Sequence, residues 1–369
     1  MGRAEVPFLQ LKQTYDELKE ELDLAYRRVM DSGWFVLGQE VEAFEAEFAS
    51  YCGAASCVGV GSGLDSLRLA LSAAGIGADH EVIVPANTFI ATWLAVSAAG
   101  ASSVPVDARE ADFNMDLAAV EAAITSRTRA IIPVHMYGLP APMVELRALA
   151  DRHSLLLVDD AAQAHGALLG GAAPGAHAHA SCFSFYPAKN LGAFGDGGAM
   201  VTSDEALEAT ARVVANYGSA EKYVHDRDGI NSRLDELQAA FLRVKLQRLD
   251  SWNRRRRDLA DIYLGELEGL DVELPPVAAD ATPAWHLFVV RVDDRDGLQR
   301  YLLERGVQTQ IHYPVAPHLS GCYASMGHGP GDFPVTERLC QRVLSRPLGP
   351  HLAREQVIRV CAEVKGFFS

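Results

Sequence analysis

The chain has 369 residues, 49% of them hydrophobic and 22% charged, with a formal net charge of −15. That length exceeds one simple core, so two domains are expected, and the acidity excludes non-specific nucleic-acid binding while still allowing an anionic small ligand in a locally positive pocket. No run reaches the roughly 18 apolar residues of a membrane span, no secretory leader is seen, and six scattered cysteines without a Cys-x-x-Cys pair read as reduced thiols of a cytoplasmic protein with no metal site.

Residues 7–30 carry Leu11, Tyr15, Leu18, Leu22, Ala25, Tyr26 and Val29 at spacings of three and four, which predicts an amphipathic helix. A second helix follows Gly38, with Val41, Phe44, Phe48 and Tyr51 on one face. Cys57 to Val60 reads as a strand running through Gly61-Ser62-Gly63 into a helix with Leu64, Leu67, Leu71 and Ala74. Strand, glycine turn and helix point free backbone N–H groups at an anion, and a plain tight turn fits this stretch equally well. Further strands are expected at 81–85, 104–107 and 130–134, with helices to about Ala99, at 116–124 and at 143–153. Alternating strands and helices imply a mostly parallel sheet covered on both faces, with ligands at the carboxyl ends of its strands.

Leu155 to Val158 forms a buried strand with Asp159 at its carboxyl end, and Gln163 and His165 follow. A carboxylate placed there needs a partner, either a helix N-terminus or the cationic ring nitrogen of a cofactor. The run Cys182 to Phe185 then leads into Tyr186-Pro187-Ala188-Lys189-Asn190-Leu191-Gly192 and on to Gly195, Gly197 and Gly198. Lys189, on a tight loop beside a buried strand, reads either as a structural lysine or as a Schiff-base nucleophile. A strand is expected at 198–202. Asn231-Ser232-Arg233 opens a long helix, and Arg254 to Arg257 in it read as a solvated face or a subunit contact. The domain boundary is placed within this helix, giving a large domain over 1–248 and a small α+β domain over 249–369. The small domain carries strands at 286–292 and 307–311 around a helix at 297–305.

An anion cup, an aromatic residue after a strand, a buried carboxylate and a loop lysine together suit pyridoxal phosphate. With Pro85 to Thr92, Val158 to Gly166, Ser184 to Gly198 and Gln238-Ala239-Ala240, the chain closely resembles the sugar aminotransferases of the DegT/DnrJ/EryC1/StrS family. The resemblance covers nearly the whole chain. It implies the three-layer α/β/α large domain of fold-type I pyridoxal phosphate enzymes with a smaller α+β C-terminal domain. It further implies that Lys189 bonds the cofactor aldehyde, Asp159 pairs with the ring nitrogen and Gln163 lies near the phenolic oxygen. Phe89 stacks on the ring. Ser62, Gly63 and Ser184 hold the phosphate, and Asn231 reaches the phosphate of a neighbouring subunit in a homodimer with shared sites.

The flanks of Lys189, together with His312-Tyr313-Pro314 and His318, resemble the dTDP-3-keto-6-deoxyhexose 3-aminotransferases, which use L-glutamate. Tyr186, His312, Tyr313 and His318 are the substrate-binding positions. Ala188 instead matches relatives acting on UDP-linked 3-keto uronates, and an alanine there requires φ < 0. The alternatives are a 4-keto or UDP-sugar aminotransferase, a sugar dehydratase (in which histidine replaces the lysine) and a regulatory family member.

Overall fold

The computed structural model describes residues 5–369; the first four residues, assigned to the large domain from sequence, lie outside it. Two helices, α1 (Leu11–Ser32) and α2 (Gln39–Cys52), each stop at a glycine in the left-handed region, Gly33 (φ 64°) and Gly53 (φ 67°), the usual way to close a helix C-terminus. Then follow β1 (Ser56–Val60), α3 (Gly63–Ala73), β2 (Glu81–Pro85), α4 (Ala91–Ala98), β3 (Ser102–Val106), α5 (Leu117–Ala122), β4 (Thr128–Ile131), α6 (Met143–Arg152) and β5 (Leu156–Asp160). A two-residue β6 (Leu168–Leu169) precedes β7 (Ala180–Ser184), β8 (Gly198–Thr202), α7 (Glu205–Ala215) and the 32-residue α8 (Glu236–Leu267).

Seven strands form one sheet in the order β1-β8-β7-β5-β4-β2-β3. Only β8 runs against its neighbours, and the β2–β3, β2–β4, β4–β5 and β5–β7 pairs are parallel. Successive strand residues face opposite layers. Val58, Val82, Ala130, Val158, Cys182 and Met200 pack under α3, α4 and α7. Phe183 and Val201 pack under α2 and α8, and Ile83, Ile131 and Leu157 under α5 and α6. This is the expected three-layer arrangement. The base of the lysine loop is held by Phe48, whose ring meets Phe183 and Phe185 edge-on at 5.0 and 5.3 Å; such pairs add about 0.5–1.5 kcal/mol each beyond burial.

Beyond α8 come a two-residue β9 (Ala281–Thr282), β10 (Phe288–Arg291), α9 (Arg295–Glu304), α10 (Pro334–Arg342), β11 (Val343–Arg346) and α11 (Arg354–Phe367). The antiparallel partner of β10 is β11. The segment 307–311, expected as that strand, instead makes isolated bridges, Val307 to Val6 and Gln310 to Ser345. The 248/249 boundary falls inside one continuous helix. The first half of α8 buries Ala239, Leu242 and Leu249 with the sheet. Its second half buries Leu259, Ala260, Tyr263 and Leu267 with β10, β11 and α11. The helix begins at Glu236 rather than at Asn231, because Asn231 and Asp235 are bridged to Asn216 and Val36. No helix among the described residues is long and apolar enough to cross a membrane.

Candidate active site

The loop after β7 is closed on itself. Ala193 N–H donates to Phe185 O at 2.7 Å and Lys189 N–H to Tyr186 O at 2.8 Å. A side chain at Gly192 would lie 2.3 Å from Pro187 O, so the two arms of the loop touch. Helix α8 pins the loop from beneath. Gln238 Oε1 accepts from Phe194 N–H at 2.8 Å, Lys245 Nζ donates to Gly192 O at 2.6 Å and Asn253 Oδ1 accepts from Asn190 Nδ2 at 2.9 Å. Residues 238, 245 and 253 share one helix face. Lys189 thus stands on a rigid mount, and burial lowers its amine from 10.5 to about 8 against the opposing pull of Asp160. Ala188 is not among the residues with positive φ, so its methyl group is tolerated there.

The two adjacent carboxylates of β5 are placed differently. Asp159 and Asp160 end β5 and point to opposite layers. Asp160 shares the face of Val158 and lies opposite Cys182 in the register, the face on which Ser184 continues. The charges of Asp160 and Lys189 act on each other. Asp160 is 7% exposed, and Asp159 is 0% exposed. The carboxylate whose charge reaches Lys189 is therefore Asp160, the neighbour of the Asp159 expected from sequence. Burial raises the Asp160 carboxyl above the ordinary range, opposed by Thr92 Oγ1 on Oδ2 at 2.8 Å and Ala162 N–H on Oδ1 at 3.1 Å. Thr88, 2.8 Å from Thr92, extends this chain.

Asp159 is held from behind by His135, a residue that sequence reasoning passed over. His135 Nδ1 accepts Ala141 N–H at 3.0 Å, so Nε2 carries the proton and donates to Asp159 Oδ2 at 2.7 Å. The other oxygen, Oδ1, has no partner. A histidine directly after the strand-like run Ile131-Ile132-Pro133-Val134 was the available signal. Tyr137 was also missed. Its N–H donates to Gln163 Oε1 at 2.5 Å and its hydroxyl to His312 O at 2.6 Å, tying the sheet to the small domain.

The cup forms where α3 meets β7. The Ser62 side chain caps α3 through Asp65 N–H at 3.1 Å, and the first-turn amides at Gly63 and Leu64 have no intrahelical acceptor. A Cβ at Gly63 would lie 2.6 Å from Ser184 Cβ, and one at Gly198 2.4 Å from Ser62 O. Backbone can approach an anion here only because both positions lack side chains. Phe89 is half exposed, with its ring 5.1 Å from Tyr313, and Gln163 Nε2 donates to the Tyr313 hydroxyl at 3.2 Å. Burial and the Lys189 charge push His312 down to about 4. Ser62, Gly63, Phe89, Gln163, Ser184, His312 and Tyr313 therefore gather with Asp160 about Lys189. Cup, flat ring partner, carboxylate and desolvated amine together fit pyridoxal phosphate.

Three expected residues lie outside this group within the single chain. Tyr186 is exposed and touches the group only through its amide, 3.3 Å from Ser184 Oγ. Asn231 is exposed on the surface next to buried Ser232. His318 is buried elsewhere, against Phe333 and 3.2 Å from Glu337, because the turn at 317–319 points its ring into the small domain.

The sequence profile of the DegT/DnrJ/EryC1/StrS aminotransferase family matches residues 16–365. The chain is 57% identical to the erythromycin biosynthesis sensory transduction protein EryC1 of Saccharopolyspora erythraea, over 98% of this chain and 99% of that one. It is 55% identical to the dTDP-3-amino-3,4,6-trideoxy-alpha-D-glucose transaminase of Streptomyces venezuelae, over 99% and 97% of the two chains. It superimposes on the crystal structure of S. venezuelae DesV in complex with a ketimine intermediate with a TM-score of 0.98, at 54% identity and 99% coverage of both chains.

Proposed function

The chain belongs to the DegT/DnrJ/EryC1/StrS aminotransferase family, and from this we propose that it moves the amino group of L-glutamate to C3 of a dTDP-linked 3-keto-6-deoxyhexose in deoxyamino-sugar biosynthesis. The observation that carries the reading is the desolvated Lys189 amine facing Asp160 on the wall that holds the anion cup. The similarity to a dTDP-3-amino-sugar transaminase over the full length supports the sugar and its position.

Bound pyridoxal phosphate supplies an aldehyde carbon that exchanges amines and a ring that accepts the electron pair left on a neighbouring carbon. Asp160 would keep the ring nitrogen protonated, because a carboxylate favours the cationic partner it faces. The backbone amides of Gly63 and Leu64 and the Ser184 hydroxyl would hold the phosphate. Phe89 would stack on the ring, and Gln163 would offer its amide to the phenolic oxygen. Lys189 Nζ would take the α-proton of glutamate and deliver it to the cofactor's former aldehyde carbon. Water would release 2-oxoglutarate and leave the nitrogen on the cofactor. In the second half-reaction, once the keto sugar has condensed with that nitrogen, Lys189 would move the proton back from that carbon to sugar C3, and water would release the amino sugar. Tyr186, His312 and Tyr313 are the sugar contacts in this reading. A homodimer in the cytoplasm with Asn231 reaching the neighbouring cup completes it.

The regulatory reading takes its support from the names of two relatives, the sensory transduction protein EryC1 and a pleiotropic regulatory protein of Geobacillus stearothermophilus. Retention of Lys189 beside Asp160 and the cup favours the enzyme. Holoenzyme given glutamate and a panel of dTDP- and UDP-linked 3-keto and 4-keto sugars should form 2-oxoglutarate and the 3-amino dTDP-sugar. Lys189→Arg should form neither. Turnover by that variant, or amination only at C4, would overturn the proposal.

A further inference from the structure

A cleft of about 90 Å³ lies beneath the lysine loop, between residues 7–14, residues 187–194, α8 and residues 349–352. Among the described residues no carboxylate lines it, although the chain carries 48 acidic residues. Its titratable lining is basic: Lys189 from the loop, Lys245 and Arg256 from α8, and His351 from the C-terminal segment, while the residues that line it from 7–14 add no titratable group. Two acids engage the lining from outside it: Asp160, whose charge acts on Lys189, and Glu17, already held by His351, Arg255 and Trp252.

Lys245 is 3% exposed. Of the three donors on its ammonium, one goes to Gly192 O at 2.6 Å. The charge sits 3.4 Å above the Phe194 ring, and among the described residues it makes no ion pair. Arg256, also 3% exposed, gives Nη1 to the carbonyls of Trp285, His286 and Leu348, and its Nε has no partner. Eleven residues apart, the two cations lie on one face of α8 with α-carbons about 16 Å apart. A small anion therefore contacts one of them and feels the field of the other. A cation–π contact and one carbonyl offset only part of the cost of burying an ammonium.

We propose that this cleft binds a tetrahedral oxyanion, of the size of sulfate or phosphate, on the Lys245 ammonium. Because the same ammonium holds Gly192 O, the anion also secures the mount of Lys189. Burial lowers the Lys245 amine to about 7, so a bound anion raises it again and favours the protonated form. Anion affinity then falls as pH rises through the neutral range.

The test uses holoenzyme, whose phosphate cup is filled, and inorganic sulfate, whose charge does not change in this range. Calorimetric titration at constant ionic strength in chloride should show one saturable site per chain. Lys245→Met should weaken binding about tenfold or more, and Lys245→Arg should retain it. Affinity in the unaltered protein should drop between about pH 6 and about pH 8.5. Absence of a saturable site, equal binding by Lys245→Met, or displacement of sulfate by dTDP (which would put the anion in the sugar-nucleotide site) overturns the proposal. If Lys245→Met fails to hold its cofactor, a flat pH profile in the unaltered protein does so alone.

Discussion

Replacing each of the two adjacent carboxylates by its amide separates their roles. In Asp160→Asn the new Nδ2 can take the place of Oδ2 and donate to Thr92 Oγ1, whose own proton then turns toward Thr88; Oδ1 keeps the Ala162 N–H. The local bonding survives and the charge is lost. A charge-assisted hydrogen bond in a buried site contributes about 1.5–3 kcal/mol, so cofactor affinity should fall roughly 10- to 150-fold. The glutamate half-reaction should slow by more than that, because the ring nitrogen is no longer held protonated. In Asp159→Asn the side-chain oxygen still accepts from His135 Nε2, and the amide replaces an oxygen that has no partner. Cofactor affinity should change less than about fivefold, well inside the range of a rearranged neutral contact. Absorbance titration of apoenzyme with pyridoxal phosphate, followed by single-turnover reaction with glutamate, measures both. A large loss in Asp159→Asn with Asp160→Asn near normal would refute the argument from strand alternation.

The Lys189 amine, lowered to about 8, is neutral in about one molecule in ten at pH 7, so capture of pyridoxal phosphate by apoenzyme should rise with pH and level off above about 8; a rate still climbing tenfold per unit near pH 10 would contradict this. Gly63→Ala places a methyl group 2.6 Å from Ser184 Cβ and should raise the cofactor dissociation constant at least tenfold by spreading the cup, as read by equilibrium dialysis. Arg346 is fully buried, its three guanidinium nitrogens have no partner, and burial lowers it to about 10, which leaves it charged at neutral pH. Arg346→Leu should therefore stabilise the protein by about 1–4 kcal/mol, a rise in melting temperature of a few degrees for a chain this long; a lower melting temperature would show that the charge has a partner in solution.

Much of the large domain was legible in the sequence because its elements are periodic. The strand at 81–85 matches β2 residue for residue, and the first helix closes at Gly33, just past the expected periodic run. The small domain was less so. β11 carries a serine and an arginine ahead of a proline, which no hydrophobic pattern marks as a core strand, yet all four of its residues are buried. Arg256, expected with its neighbours on a solvated face or in a subunit contact, faces inward and holds three carbonyls. Helical phase within a run of identical residues depends on what α8 packs against.

Sequence alone determined the chemistry. A lysine between an apolar strand and a glycine-rich turn, a carboxylate at a strand end and a glycine turn before a helix are local features, and their order along the chain names a cofactor. Tertiary structure decided which of two adjacent aspartates faces the lysine, because a strand sends neighbours to opposite faces and only packing says which face holds the pocket. It also brought in His135 and Tyr137, whose partners lie 24 and 175 residues away, and it removed His318, which a turn directs into the core. Such contacts are set by how layers meet, and no local pattern encodes that.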